Sequence, residues 1–293
     1  MSKPFLTVFT PAYNRAYTLP RTYESMKQQK NTDFIWLIVD DGSSDNTAEL
    51  VKQWQSEENG FEIHYIYKEN GGMHTAHNTA YELIETELNV CVDSDDALAP
   101  DAVQLIADAW NKVRDRGYAG LLGLDAEFDG TVIGKGFPEG LTDTTLGGYY
   151  RSGGRGDKKL ILRTDVVRQY PPYPTFPGER FVPMGSLYTM IDQDYKLSVL
   201  DKVVCLVEYM PDGSTHNMLC QYYRNPNGFR YGRLVTMQSQ LKLEKRLMVH
   251  MHYAAESILS RKPILKDSPQ KLLSLFTVPF GWLLALYIKY KNK

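Results

Sequence analysis

Four apolar runs in the first 115 residues each end in a cluster of polar side chains, and helical patterns separate the runs. The runs cover residues 5–10, 34–39, 61–67 and 89–92. Strands that alternate with helices in this way predict a parallel sheet with right-handed crossovers. Ligands of such sheets bind beyond the carboxyl ends of the strands, which is where all four polar clusters lie.

The composition is that of a folded α/β protein. The chain has 293 residues, of which 43% are hydrophobic and 23% are charged, enough for one large domain or a domain with an appendage. Its formal net charge of −2 gives no general attraction to nucleic acid, so we expect no nucleic-acid partner. Three cysteines without a CxxC pattern indicate a reducing compartment and no zinc site. Because the first residues lack a signal-peptide core, we expect a cytoplasmic protein.

The acidic cluster Asp93-Ser94-Asp95-Asp96 directly follows the fourth run. Carboxylates this close repel one another unless a cation or hydrogen bonds compensate. Oxygen ligands of this kind suit Mg²⁺ or Mn²⁺, although capping of the next turn would also explain the pattern.

Asp40, at the end of the second run, could accept a hydrogen bond from a nucleobase or a ribose, or it could form a turn into the next helix.

Adjacent glycines precede the third helical pattern, in the segment Lys68-Glu69-Asn70-Gly71-Gly72. Glycines before a helix let the backbone approach a phosphate closely, but a simple turn has the same composition. His74 and His77 have neither the spacing nor the context of a zinc-binding motif. We therefore expect His77 beside a diphosphate or a carboxylate.

Glu179 lies in the segment PGERF, near the end of a stretch at 117–180 that is rich in glycine and proline. A carboxylate there could act as a general base, or it could pair with Arg180 at the surface. The local sequence alone favours the surface pair.

The segments TVFTPAYNR, VDDGSSDNT, KENGGMHTAHN and VDSDD, in this order and spacing, resemble the motifs of family-2 glycosyltransferases with a GT-A-type fold. The later segments FPGERFVP and EYMPDGST…RNPNGF are similar to bacterial members that assemble capsular and other surface polysaccharides. The resemblance runs from about residue 5 to residue 229. It implies a mostly parallel nucleotide-binding sheet flanked by helices, with a helical C-terminal extension.

The resemblance also implies roles for individual positions. Glu179 corresponds to the general base, which reverses the preference for a surface pair. Asp95 corresponds to a ligand of the divalent metal, Mn²⁺ or Mg²⁺, and His216 falls where some relatives supply another ligand. The implied donor-binding positions are Thr10, Pro11 and Tyr13 around the base, Asp40 on the uracil, and Lys68, Gly71, His77, Asn78, Asp93 and Ser94. The family commonly has arginine where this chain has His77, so less positive charge would lie near the diphosphate.

By this resemblance the chain is expected to be an inverting, metal-dependent hexosyl- or N-acetylhexosaminyltransferase. It would move a sugar from a nucleotide-sugar donor to a hydroxyl of a glycan or lipid-linked acceptor in surface polysaccharide synthesis. The expected donor is a UDP-sugar. A nucleotidyltransferase is an alternative, but the basic glycine-rich loop that such an enzyme has after its first strand is not present in TPAYNR. A nucleotide-sugar-binding protein without catalysis is a second alternative, against which Asp95 and Glu179 argue.

The segment 272–288 contains no charged residue and is bracketed by Lys271 and Lys289. Pro279 and Gly281 interrupt it, and it is shorter than the about 20 residues that a spanning helix needs. We expect residues 272–293 to touch the inner face of the cytoplasmic membrane peripherally, and packing of this tail in the core is the alternative.

For the domain organisation we expect a GT-A-type domain over 1–230. Its nucleotide-binding half would cover 1–115 and its acceptor-side half 116–230. A helical extension over 231–293 would follow, and apolar spacing predicts one long helix over 234–260.

Overall fold

The computed structural model describes residues 3–208 and 218–292, and these form two compact units. The first unit comprises residues 3–171 and 194–208, and the second comprises 172–193 and 218–292. These units do not test the expected GT-A-type domain over 1–230 followed by an extension over 231–293, which therefore stays a prediction.

A nine-stranded sheet forms the centre of the first unit. Its strands are β1 (Leu6–Ala12), β2 (Phe34–Asp40), β3 (Glu62–Tyr67), β4 (Leu88–Cys91), β5 (Ala97–Leu98), β6 (Gly120–Ala126), β7 (Asp143–Thr144), β8 (Lys158–Arg163) and β9 (Leu197–Leu206). Across the sheet their order is β3-β2-β1-β4-β8-β6-β9-β5, and β7 pairs with β9. Helices α1 (Leu19–Lys27), α2 (Thr47–Gln55), α3 (Met73–Leu83), α4 (Ala102–Val113), α5 (Leu146–Arg151) and α6 (Thr164–Val167) connect the strands.

The strand directions confirm the α/β fold. β3, β2, β1 and β4 are parallel, as their alternation with helices predicts. β8 runs antiparallel to both β4 and β6, so the sheet is mixed beyond β4 rather than mostly parallel throughout. A buried strand has the same continuous apolar pattern in either direction, so the sequence did not reveal this reversal.

The core of the first unit lies on both faces of the parallel strands. On one face Tyr23, Trp36 and Trp54 stack, with 4.4 Å between the ring centroids of Tyr23 and Trp54. On the other face Phe9 packs in the apolar cluster that includes Ala76 of α3. Each fully buried large side chain contributes about 1.5–3 kcal/mol, so this packing holds the strand ends in place.

The second unit is helical. Its helices are α7 (Gly185–Asp194), which ends at the unit boundary, α8 (Met218–Arg224), α9 (Pro226–Thr236), α10 (Leu243–Leu259), α11 (Ile264–Asp267) and α12 (Lys271–Lys291). The predicted single helix over 234–260 is wrong, because α9 ends at Thr236 and α10 begins at Leu243. The adjacent polar residues Gln238, Ser239 and Gln240 separate the two apolar stripes, and the backbone N–H of Ser239 closes a turn on Thr236.

Helix α12 continues through Pro279 and Gly281, which the sequence suggested as interruptions. Of the described residues, α12 alone is long and apolar enough to cross a membrane by length and composition. Only 28% of its most apolar stretch is buried, whereas the core helix of a soluble protein is mostly buried.

Candidate functional site

The parallel register brings the polar clusters of the first unit to one edge of the sheet. Ala12 at the end of β1 lies beside Asp40 at the end of β2, and Asp40 lies beside Tyr67 at the end of β3. Phe9 pairs with Cys91, so the acidic cluster after β4 begins next to the second half of β1. The structure therefore places the predicted donor-binding residues of β1 to β4 along the same edge.

Asp40 is 1% exposed, and its carboxylate is held from two sides. The backbone N–H of Ser43 donates to Oδ1 at 2.7 Å, and the hydroxyl of Tyr65 donates to Oδ2 at 2.6 Å. Burial, and then the bond to Asp40, raise the pKa of Tyr65, so Tyr65 stays a hydrogen-bond donor at any physiological pH. A carboxylate oxygen has about two acceptor positions, so these two bonds do not use all the acceptor capacity of Asp40.

The three residues predicted around the base differ in exposure. Thr10 is fully buried, and its hydroxyl accepts a hydrogen bond of 3.0 Å from the indole Nε1 of Trp36. Pro11 is buried within β1. Tyr13 has 48% of its surface exposed, so it is the one of these three side chains that is open to a ligand.

Asp41 organises the glycine loop that precedes α3, a role that the sequence analysis did not identify. Lys68 Nζ lies 2.5 Å from Asp41 Oδ1, and the backbone N–H groups of Gly71 and Gly72 donate to the same carboxylate at 3.0 and 2.7 Å. Lys68 Nζ also donates to the hydroxyl of Thr75 at 2.8 Å. The glycine amides are therefore committed to Asp41, and the phosphate contact expected of Gly71 stays a prediction.

His77 is a neutral, buried side chain. Burial lowers its pKa to about 4, and its ring packs edge-on against Phe9 with centroids 5.0 Å apart. Nε2 lies 3.7 Å from Sγ of Cys91, whose thiol is 3.5 Å from Oδ1 of Asp93. Asn78 follows it half-buried on α3. His77 thus contacts a thiol, and the carboxylate of Asp93 lies one contact further. Its expected place beside a diphosphate or a carboxylate, and its donor-binding role, stay predictions.

Helix α1 fixes the backbone of the acidic cluster. The hydroxyl of Thr22 donates to the carbonyl of Asp96 at 2.7 Å and to that of Ser94 at 3.3 Å. The guanidinium of Arg21 donates to the carbonyl of Asp95. Burial, and then the charge of Asp93, raise the pKa of Asp95. Asp93 and Asp95 thus form a half-buried pair of carboxylates on a rigid loop.

Beneath this pair lies a buried ion cluster that sequence reasoning missed. Lys159 Nζ on β8 lies 3.8 Å from Asp125 Oδ1 and 4.0 Å from Asp96 Oδ2, and it donates to the carbonyl of Cys91 at 3.3 Å. Burial opposes the charge of Lys159, but Asp125, Cys205 and Asp96 outweigh it and hold the pKa of the ammonium well above its usual value. Burial raises the pKa of Asp96, and the ammonium of Lys159 opposes this shift. The signal that could have revealed the cluster is Lys159 directly before the apolar run 160–162 of β8.

The described residues contain no group of three or more histidine, cysteine, aspartate or glutamate side chains that could hold a metal ion by themselves. Asp93 and Asp95 nevertheless fit a divalent cation, because they are two half-buried carboxylates, one residue apart, directly after the buried strand β4. Mg²⁺ and Mn²⁺ typically take one or two carboxylates and complete their shell with water and phosphate oxygens. His216, the other predicted ligand, lies outside the described residues.

Glu179 belongs to the second unit, where it caps α9. Oε1 accepts hydrogen bonds from the backbone N–H of Asn227 at 3.0 Å and from its side-chain amide at 2.7 Å. Oε2 accepts one from the backbone N–H of Gly228 at 2.8 Å. The N-terminus of a helix stabilises a carboxylate, so α9 holds Glu179 in place. The local sequence favoured an ion pair between Glu179 and Arg180 at the surface, and the structure has these bonds to α9 instead.

Comparisons with known proteins show which family part of the chain matches and which solved structures have a similar fold. Residues 7–123 match the family model described as glycosyl transferase family 2. The chondroitin synthase of Escherichia coli is 31% identical over 134 residues, which are 46% of this chain and 19% of that synthase. The chain therefore matches about a fifth of the length of that relative.

Two solved structures share the fold. S. aureus TarS 1–349 in complex with UDP-GlcNAc matches 96% of this chain and 81% of that one, with a TM-score of 0.61 and 18% identity. Mannosyltransferase PcManGT from Pyrobaculum calidifontis, in complex with GDP-Man and Mn²⁺, matches 99% of this chain and 83% of that one, with a TM-score of 0.56 and 18% identity. The match of residues 7–123 confirms the resemblance read from the motifs, and this part of the chain matches glycosyl transferase family 2.

Proposed function

We propose that the chain transfers a sugar from a UDP-sugar to an acceptor hydroxyl with inversion at the anomeric carbon. The observation that carries this proposal is the convergence of Asp40, Lys68 and the Asp93–Asp95 pair at one edge of the parallel strands within the family-2 domain. Carboxylates beyond the ends of adjacent parallel strands suit a nucleotide diphosphate bound with a metal.

On the donor side, Asp40 reads the base in this proposal. Its fixed carboxylate would accept a hydrogen bond from the imide N–H of uracil. The half-exposed ring of Tyr13, the residue after β1, would be available to the base. Lys68, Gly71, His77, Asn78, Asp93 and Ser94 are the further donor-binding residues that we propose. Lys68 and the glycine loop would act as one body, because Asp41 ties them together.

Asp95, with Asp93, would hold Mn²⁺ or Mg²⁺. The chemistry that the metal supplies when bound is stabilisation of the negative charge that develops on the leaving diphosphate. The neighbour in complex with Mn²⁺ supports this assignment through its shared fold.

Glu179 is the general base in this proposal. Its two oxygens have about four acceptor positions, of which three are used by Asn227 and Gly228. Oε2 keeps one position that can take the proton of an acceptor hydroxyl. Attack by that hydroxyl from the face opposite the diphosphate gives inversion in one displacement, without a covalent intermediate.

We further propose that the sugar is a hexose or an N-acetylhexosamine. The acceptor would be a growing glycan or a lipid-linked glycan, used in surface polysaccharide synthesis at the inner face of the cytoplasmic membrane. The supporting observations are a relative described as a chondroitin synthase and a structural neighbour bound to UDP-GlcNAc.

The test is UDP release from a panel of UDP-sugars in the presence of Mn²⁺, repeated with EDTA. We expect release with an acceptor present and its loss with EDTA. Glu179→Gln should reduce the turnover rate by at least about a hundredfold while UDP binding stays nearly unchanged. Glu244→Gln is the matched control, because Glu244 is exposed in the first turn of α10 of the same unit.

Two outcomes would contradict the proposal. Retained transfer by the Glu179→Gln variant would remove Glu179 as the base. Binding of UDP without transfer to any acceptor would favour a binding protein without catalysis.

A further inference from the structure

Helix α12 carries two opposite faces of different chemistry. One face consists of small or buried residues that lie against the rest of the second unit: Ser274, Thr277, Gly281, Ala285 and Ile288. The other face is exposed and uncharged, and it consists of Leu272, Leu275, Phe276, Pro279, Phe280, Trp282, Leu283, Leu286, Tyr287 and Tyr290. At about 100° per residue the exposed set covers nearly half of the helix circumference.

The buried face is fixed to α10. A Cβ atom added to Gly281 would lie 2.5 Å from Cβ of Ala254 and 2.9 Å from the carbonyl of Met251, so the two helices touch at backbone distance. Oγ of Ser274 lies 2.7 Å from Nδ1 of His250. Since α12 is packed on α10, it could be surrounded by lipid only if it left α10 or took α10 with it. Charged residues of α10, Glu244, Lys245 and Arg246, would make the second course costly.

The exposed apolar face is far larger than the scattered apolar side chains of an ordinary protein surface. Leu272, Phe276 and Tyr290 are 85%, 64% and 75% exposed. A contiguous patch of this kind marks a contact with another molecule or with a membrane. Its aromatic residues Trp282, Tyr287 and Tyr290 are the types that favour the membrane–water interface.

The positive charge of this part of the chain favours an anionic partner for the exposed face of α12. Residues 218–292 contain twelve lysine and arginine residues and three aspartate and glutamate residues, a formal net charge of +9 in a chain whose net charge is −2. On α12 itself, Lys271, Lys289 and Lys291 lie at the two edges of the exposed apolar face, at about 100° from its centre. A second copy of this surface would meet its own positive charge, whereas an anionic lipid surface complements it.

We propose that the exposed face of α12 docks in the plane of an anionic lipid surface, with its lysines at the headgroups and α10 on the solvent side. The helix lies on the membrane and does not cross it, because its opposite face stays packed on α10. This surface is independent of the proposed sugar transfer, so each can fail without the other.

The first experiment is flotation of the full chain with two kinds of vesicle, pure phosphatidylcholine and equal parts phosphatidylcholine and phosphatidylglycerol. We expect binding to the anionic vesicles that weakens with salt, and little binding to the neutral ones. Phe276→Glu with Trp282→Glu should weaken binding at least about tenfold, because both side chains lie on the docking face. Lys289→Glu with Lys291→Glu should weaken binding to the anionic vesicles by about tenfold or more.

Leu83→Glu is the matched control, since Leu83 is 45% exposed on α3 in the other unit and should leave vesicle binding unchanged. Circular dichroism of each variant checks that it is folded. Unchanged flotation of the Phe276→Glu, Trp282→Glu variant would overturn the proposal. So would lipid-free association of the wild-type chain that the same variant abolishes, because a second copy would then cover the face.

Fluorescence of the wild-type chain distinguishes docking from spanning. Of the four tryptophans, Trp282 is exposed and Trp36, Trp54 and Trp110 are buried. Trp282 lies near the middle of α12, so a spanning helix would place it at the centre of the bilayer. We expect quenching by lipids brominated near the headgroup to exceed quenching by lipids brominated at the chain ends, and the reverse order would overturn the proposal.

Discussion

The hydroxyl of Tyr65 donates a hydrogen bond of 2.6 Å to Oδ2 of Asp40, the carboxylate that we propose reads the base. Hydrogen bonds to a charged group contribute about 1.5–3 kcal/mol, and part of that energy here serves to orient Asp40. Tyr65→Phe should therefore weaken UDP binding by about tenfold, measured by titration calorimetry. Tyr290→Phe is the control, because Tyr290 is 75% exposed near the end of α12 in the second unit and should leave binding unchanged. Unchanged binding in Tyr65→Phe would show that Asp40 is oriented without Tyr65.

The parts of this site that could be predicted are those encoded by local pattern. The strand ends at Asp40 and Asp93 follow directly from apolar runs that stop at polar clusters. The partners of these residues could not be predicted in the same way. Tyr65 is 25 residues from Asp40 in the sequence, and Lys159 reaches Asp96 because β8 turns antiparallel beside β4. Contacts between distant strands depend on direction and register, and the periodicity of one sequence does not record either.

The cap made by Glu179 is a further contact that the sequence did not reveal. Its partners Asn227 and Gly228 are 48 and 49 residues away, in a segment whose helical pattern begins at Pro226. The proline at the first helical position predicts where α9 starts, but the capping carboxylate comes from another part of the chain. The motif predicted a role for Glu179 as general base, which stays a prediction, whereas its role as a helix cap became visible only in the structure.

Asp41 should matter for stability as well as for binding. Asp41→Asn removes the negative charge from a buried site where Lys68 and two glycine amides converge. Breaking one partner of a buried ion pair costs about 3–5 kcal/mol when the other charge stays buried, and the partly exposed Lys68 places this pair at or below the lower end. We expect a clear loss of stability in urea unfolding, and weaker UDP binding because the glycine loop loses its anchor. Asp33→Asn, at an exposed residue before β2, should change neither quantity.

Glu256 in α10 should make the stability of the second unit depend on pH. Burial raises its pKa from 4.5 to about 7, against the opposing effect of Arg233, whose Nε lies 3.3 Å from Oε1. Between these two values the folded chain binds more protons at this site than the unfolded chain. The contribution of Glu256 to stability is therefore full below about pH 4.5, and it is lost as the pH rises through about 7.

Glu256→Gln removes this titration. The free energy of unfolding of the variant, relative to the wild type, should rise by about 3 kcal/mol between about pH 4.5 and pH 8, following urea unfolding. This difference is informative even if the loss of the bond to Arg233 destabilises the variant at every pH. Burial lowers the pKa of the neighbouring His252 to about 4, which gives the opposite slope in both proteins and largely cancels in the comparison. A pH-independent difference would contradict the raised pKa of Glu256.

At Gly281 the backbone of α12 lies directly against α10. In the Gly281→Leu variant the Cβ atom alone would lie 2.5 Å from Cβ of Ala254 and 2.9 Å from a backbone carbonyl, which cannot move as a flexible side chain does. Overpacking of a core typically costs about 1–3 kcal/mol, and a clash with backbone belongs at the upper end. We expect a lower melting temperature and faster hydrogen exchange in both helices. Trp282→Leu changes the adjacent residue on the exposed face, so it should leave stability within about 0.5 kcal/mol of the wild type. Equal stability of the two variants would show that α12 is not held against α10, and the separation of its two faces would then have no structural basis.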